Sequence, residues 1–220
     1  MVKYLLDRKI KKVDFLIISH FDSDHCKNAN DIIENLKVKN IVITKQAEKS
    51  QEFENIIKLA KKRNVNIILL KAGNTLTIDK QINFKILWPD NALIEENPIN
   101  NNSIVAKLEY KNFSMLFTGD IEEIAEKHII SKYSEQILNS TVLKVAHHGS
   151  DTSSIEEFIN VVKPKIALIG VGDNNKFDHP SNSVIDILKS YGTNIYRTDV
   201  HGEITLTIRK NGVIKVNTQI

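Results

Sequence analysis

Leu16-Ile17-Ile18-Ser19-His20-Phe21-Asp22-Ser23-Asp24-His25 runs from an apolar, β-branched segment straight into two histidines and two aspartates within six residues. The apolar part reads as a strand, so the polar part falls on the loop at a strand's carboxyl end, where α/β sheets place their active sites. A tight loop there turns the first, third, fifth and sixth residues of the cluster toward one point, which neither a helix nor an extended strand would do. Imidazole and carboxylate together suit Zn²⁺, Mn²⁺ or Fe²⁺, and charge this dense is costly without a cation. A solvated polar loop accounts readily for a lone histidine and poorly for this cluster.

Two later segments repeat the arrangement. The apolar run Phe113 to Phe117 ends in Thr118-Gly119-Asp120, and the run Val142 to Ala146 ends in His147-His148-Gly149-Ser150. Three apolar strands that each deliver His or Asp at the carboxyl end describe one convergent site.

Around these segments, Ile- and Val-rich runs alternate with stretches of helical period, which predicts an α/β or α+β fold with a buried sheet. Further strands are expected at Asn40 to Thr44, Asn66 to Lys71, Phe84 to Leu87, Ser103 to Tyr110, Ile166 to Ile169, Asn194 to Arg197, Glu203 to Arg209 and Val213 to Asn217. Helices are expected near Asn30 to Leu36, Ser50 to Arg63, Ile121 to Ser131, Ser153 to Val162 and Ser181 to Ser190, with Ser153 and Ser181 as N-caps. Lys111-Asn112 and Asn211-Gly212 read as hairpin turns, the latter pair being favoured where both central residues take positive φ. Residues 1–220 are read as one domain.

The formal net charge is +3 and the basic residues are scattered, which permits a polyanionic substrate without arguing for one. Cys26 is the single cysteine, so no intramolecular disulfide forms, and it reads as a small packed residue. No apolar run approaches the roughly 20 residues that span a bilayer, and the first residues lack a secretory signal's apolar centre. The chain as written reads as soluble and, by default, cytoplasmic. Trp88 reads as core or rim packing, His128 and His201 as structural or exposed, and Lys144, Lys163, Lys165 and Lys176 as a solvated face in preference to a path for a phosphate backbone.

The order His-x-Asp-x-Asp-His, Thr-Gly-Asp, His-His-Gly-Ser and a later His179-Pro180 resembles the metallo-β-lactamase-fold domain of the ComEC family of DNA-internalisation competence proteins. The likeness runs from Leu5-Leu6-Asp7-Arg8 through Arg197-Thr198-Asp199. It implies a four-layer αββα sandwich with two divalent metal ions, Zn²⁺ or Mn²⁺, at one edge between the sheets. Carried over, His20, Asp22, Asp24 and His25 form the first metal motif, Asp120 the bridging carboxylate, and His147 or His148 the later histidine, His147 being the one assigned to metal. Asp22 stands where most of the wider superfamily has His, and the third histidine is replaced by Asn100-Asn101-Asn102-Ser103, which makes one subsite rich in oxygen. Asn102 or Ser103 is then expected near an open position, with Ser150, to contact substrate. Asp24 is expected to serve catalysis as well, and His148 and His179 to protonate a leaving oxygen or hold a phosphate oxygen.

The implied activity is metal-dependent hydrolysis of a phosphodiester, a nuclease acting on single-stranded DNA during competence-related uptake. The implied partners are the membrane-spanning and other domains of a larger parent protein in the cell membrane. Against the family pattern, the first strands before Met1 are expected to be missing. Lys27-Asn28 replace a Gly-Gly, and Asp151 replaces a residue that is often basic. Alternatives are hydrolysis of a small ester, thioester or phosphoester, and a non-catalytic metal-binding domain.

Overall fold

The structure, a computed structural model, describes residues 1–45, 49–210 and 212–220. Helix α1 (Val2–Asp7) leads into β1 (Lys12–Ile17), which pairs in parallel with β2 (Lys37–Thr44), and β2 with β3 (Asn66–Leu70). Parallel neighbours need a crossover. The first is supplied by α2 (Ser23–Cys26) and α3 (Ala29–Asn35), the second by α4 (Gln51–Lys62). The Ser50 hydroxyl caps α4 by accepting from Phe53 N at 3.2 Å, with Glu52 and Glu54 in the first turn and Lys61 and Lys62 in the last, as the helix dipole favours.

A second sheet has the order β10-β9-β8-β7-β6-β5-β4. Its strands β4 (Thr75–Asp79), β5 (Ile82–Trp88), β6 (Val105–Tyr110) and β7 (Phe113–Phe117) are antiparallel neighbours. From β7 onward, β8 (Val142–Lys144), β9 (Ile166–Ile169) and β10 (Asn194–Arg197) run in parallel. The short α5 (Pro98–Asn101) precedes β6. The connections that follow carry α6 (Glu123–Lys132), α7 (Glu135–Leu138), α8 (Glu156–Val162) and α9 (Asn182–Ser190). After β10 come α10 (Thr198–His201) and the antiparallel pair β11 (Ile204–Ile208) and β12 (Ile214–Thr218).

The period-2 alternation of side chains fixes the layers. In β2, Ile41 and Ile43 pack with Ile32, Ile33, Ile56 and Ala60 of α3 and α4, while Val42 between them meets Ile86, Ile104 and Ala106 of the other sheet. In β9, Ala167 and Ile169 join Ile129, Phe158 and Leu188 of α6, α8 and α9, while Ile166 and Leu168 face Met115 and Leu206. Helices, sheet, sheet and helices therefore stack in four layers, as the resemblance implies.

The local differences have physical reasons. β4 escapes a pattern reading because it is a sheet edge in which Leu76 alone is buried and Ile78 is exposed. β8 stops at Lys144 instead of Ala146, since the chain must turn into the left-handed conformations of His147 (φ 45°) and His148 (φ 53°). The Lys111-Asn112 turn joins β6 to β7 with Lys111 at φ 52°. Asn211 of the expected Asn211-Gly212 turn lies outside the described residues. No helix among the described residues is long and apolar enough to cross a membrane. Trp88 is buried, and its indole N–H donates to the Asn101 carbonyl at 2.7 Å.

Ser181 caps α9 as expected, accepting from Val184 N. Ser153 does not cap α8, whose N-cap is Ile155. The Ser153 hydroxyl instead donates to Ile121 O at 2.8 Å, and the fully buried Glu126 takes over, its two oxygens accepting from Ser154 N at 2.7 Å and Ile155 N at 2.9 Å. Glu126 thus anchors the segment after the His-His-Gly-Ser turn to α6. Burial pushes its pKa from 4.5 up to about 8, against the downward pull of the two N–H donors. Between these values the folded chain holds a proton that the unfolded chain has released, so this group's contribution to stability falls as pH rises. Thermal unfolding between about pH 5 and pH 8 should show that decline in the wild type and a flatter profile in Glu126→Gln; parallel profiles would refute it.

Candidate metal centre

The parallel run β7, β8, β9 brings three carboxyl ends to one edge of the second sheet, and β1 of the first sheet ends beside them. Ile104 N donates to Ser19 O at 2.9 Å and fastens the two sheets at this edge. The turn after β7 depends on Gly119, at φ +55°: a Cβ there would lie 2.6 Å from the Ser103 Cβ. The Gly119 carbonyl accepts from His147 N at 3.2 Å, which binds this turn to the one after β8.

At the shared edge, ligand atoms of Asp24, His25, Asp120 and His148 all lie within 4.8 Å of one another, a group able to hold a metal ion. His25 Nε2 is 3.1 Å from Asp120 Oδ2, and His148 Nε2 is 3.1 Å from Asp24 Oδ2 and 3.4 Å from Asp120 Oδ2. The Nε2 atoms of His25 and His148 stand 3.0 Å apart. Two imidazole nitrogens face each other this closely only where one carries a proton or a cation lies beside both. His148 Nδ1–H donates to the Gly170 carbonyl at 2.6 Å, which fixes the ring's orientation and aims Nε2 at the site.

His20 is fully buried, with Nε2 3.8 Å from Asp120 Oδ2 and Nδ1 3.1 Å from the Ser19 hydroxyl. Its Nε2 and the Asp120 Oδ1 are buried without a hydrogen-bond partner. Buried polar atoms are ordinarily paired, so two orphans beside a convergent N/O donor set fit a divalent ion. Burial lowers the His20 pKa to about 4, which keeps the imidazole neutral, as a ligand must be. Burial also pushes Asp120 upward, but hydrogen bonds from His148 and His25 prevail and hold its carboxyl well below the usual carboxylate range. Asp22 is raised, first by burial and then by the neighbouring Asp24.

A 720 Å³ cavity opens onto the centre, lined in part by Asp22, Asp24, Lys27, Asp120, His147, His148 and His179. His147 stands outside the four-residue group; its Nδ1 is 3.3 Å from the Thr152 hydroxyl and 3.5 Å from Glu122 Oε1. His148, expected from the sequence as a proton donor, is the one that stands inside the group. Asn102, Ser103 and Ser150 do not reach the cavity. The Asn102 amide is consumed internally, donating to Ile94 O and Pro98 O and accepting from Ile94 N. The Ser103 hydroxyl accepts from Asp120 N, and Ser150 pairs with Thr152. Cys26 is buried, and burial raises its thiol to about 11, in keeping with packing.

Glu122 and Gly170 were not singled out from sequence. Glu122 follows Thr-Gly-Asp by two residues, and Gly170 follows β9 as Asp120 and His148 follow β7 and β8, so position after a strand was the available signal.

Residues 2–173 match the metallo-beta-lactamase superfamily. The chain is 34% identical to ComE operon protein 3 of Bacillus subtilis over 93% of its length, and spans 26% of that protein. It is 27% identical to competence protein ComA of Neisseria gonorrhoeae, again over 93% of this chain and 26% of that one. Among solved structures it is similar to CmlA, a diiron β-hydroxylase from Streptomyces venezuelae, with a TM-score of 0.60 at 13% identity, covering 85% of this chain and 44% of that one, a likeness of fold. The chain belongs to the metallo-β-lactamase superfamily and fits the metallo-β-lactamase domain of the ComEC family of competence proteins.

Proposed function

We propose that the chain is a metal-dependent phosphodiesterase that cuts DNA, single-stranded DNA foremost, in competence-related DNA uptake. The reading is carried by the convergence of Asp24, His25, Asp120 and His148 beside the unpartnered His20 Nε2. The names of the relatives, competence proteins, support DNA as the substrate. The share of those relatives that it spans supports action beside the membrane-spanning and other domains of a longer protein.

Asp24, His25, Asp120 and His148 would hold one divalent ion, and His20, Asp22 and Asp120 a second, either Zn²⁺ or Mn²⁺. When bound, such ions supply Lewis acidity, which activates water at neutral pH and neutralises phosphoryl oxygens. The chain itself orients and encloses. Asp120 joins both subsites, and Gly170 holds the His148 ring in place. His147, steadied by Thr152 and Glu122, and His179 line the same cavity and are the groups available to hold a phosphate oxygen or protonate the leaving one.

Calorimetric titration with Mn²⁺ or Zn²⁺ should show tight uptake by the wild type, none by Asp120→Ala, weakened uptake by His148→Ala and near-normal uptake by His147→Ala. Wild-type uptake by Asp120→Ala would refute the site, and the reverse order of the two histidine variants would exchange their roles. With Mn²⁺ added, the wild type should cleave a single-stranded oligonucleotide, and Asp24→Ala and Asp120→Ala should be slower by at least about a thousandfold. Stoichiometric metal with intact DNA would refute the nuclease reading and favour a small ester or phosphoester.

A further inference from the structure

Phe177 is a large apolar side chain left 66% exposed at the rim of the metal-centre cavity. Its ring is held in position. It stacks on His179 with centroids 5.7 Å apart and planes 20° from parallel, and the Lys176 ammonium sits 4.7 Å from its centroid. Asn175 closes the segment behind it, donating to His179 O at 2.8 Å and accepting from His179 N at 2.9 Å. An exposed aromatic on a braced loop, backed by a second ring, presents a π-surface to solvent.

Phe177 and His179 also line a second, polar cavity of 490 Å³ that includes Asp151 and Asp178. The Phe177 ring therefore stands, with His179, where the two cavities meet. A small substrate confined to the metal centre need not meet it, whereas a polymer running from one cavity to the other must cross it. Both cavities carry cations beside carboxylates, Lys27 and Lys176 on the metal side and Arg197 on the other, so charge admits a phosphate backbone on either side of the ring.

We propose that Phe177, backed by His179, is a nucleobase-stacking platform beside the scissile phosphate, and that it makes unpaired DNA the preferred substrate. Every base offers a π-face to such a ring, but in a duplex those faces are already stacked. The inference rests on the phosphodiesterase reading, and its test is made on binding so that the two fail separately.

The affinity of the full chain, in chelator, is measured by fluorescence anisotropy for an oligothymidylate and for a strand of equal length with abasic sites. The wild type should prefer the base-bearing strand. Phe177→Ala should lower that preference by roughly tenfold, and Phe177→Trp should restore it. Equal affinity of the wild type for both strands, or an unchanged preference in Phe177→Ala, overturns the platform and assigns the exposed ring to a protein contact. A base-dependent preference in a chain that cleaves no DNA with Mn²⁺ or Zn²⁺ upholds the platform and overturns the nuclease reading alone.

Discussion

Asp120 is 3% exposed, yet its Oδ2 lies 3.1 Å from His25 Nε2, 3.4 Å from His148 Nε2 and 3.8 Å from His20 Nε2. A carboxylate in such a place stays ionised only because its surroundings outweigh the loss of water. The carboxylate and those surroundings come from three parts of the chain: His20 and His25 after β1, Asp120 itself after β7, and His148 after β8. The charge of Asp120 therefore ties the first sheet to the second, and the sandwich must bring both sheet edges to this point. The hydrogen bond from Ile104 N to Ser19 O performs the same task with backbone groups.

Meeting that requirement strains the chain locally. His147 and His148 are consecutive residues with positive φ, a conformation that costs about 1–3 kcal/mol for each non-glycine residue. The turn is held by hydrogen bonds on all sides: His147 N to Gly119 O, Ser150 N to His147 O, and Ser181 N to Gly149 O. Gly149, at φ +83°, lets Pro180 pack so closely that a Cβ would lie 2.5 Å from the proline Cβ. The consequence is rotational: two adjacent histidines point to different partners, one to Gly170 O and the ligand group, the other to Thr152 and Glu122. Two histidines in an extended strand would also diverge, but onto opposite faces of the sheet, where only one would reach this cavity.

That rotation explains which parts of the site could be read from sequence. The strand ends were legible because β1, β7 and β8 are apolar runs that stop abruptly at His or Asp, whereas the four layers came from the family resemblance alone, since β2 is buried on both faces from Asn40 to Thr44 and shows no alternation there. The choice between His147 and His148 was not, since it depends on φ values that no side-chain type dictates. The fate of Asn102 was equally hidden. An asparagine in a ligand's usual place looks like a weak ligand, and only the carbonyls of Ile94 and Pro98 show that its amide shapes a loop. Ser153 failed as a cap because a glutamate almost thirty residues earlier supplies the acceptors, a long-range pairing outside any local pattern.

With Asn102 turned away, the two proposed subsites are unequal. Asp24, His25, Asp120 and His148 converge already, with His148 braced by Gly170, whereas His20 and Asp22 contribute one nitrogen and one carboxylate beside the shared Asp120. A subsite with few protein ligands leaves more positions to solvent or substrate, and one rich in oxygen suits harder ions. In the two-ion reading the braced subsite would favour retention and the sparse one would leave room for substrate. This division also separates chemistry from selection. The ligands sit on strand ends that the core holds fixed, while the cavity wall from Gly172 to Phe177 is loop that makes no contact with them and can change without disturbing them. Ionisation of Asp120 constrains the first set of residues, and nothing in that constraint reaches the second.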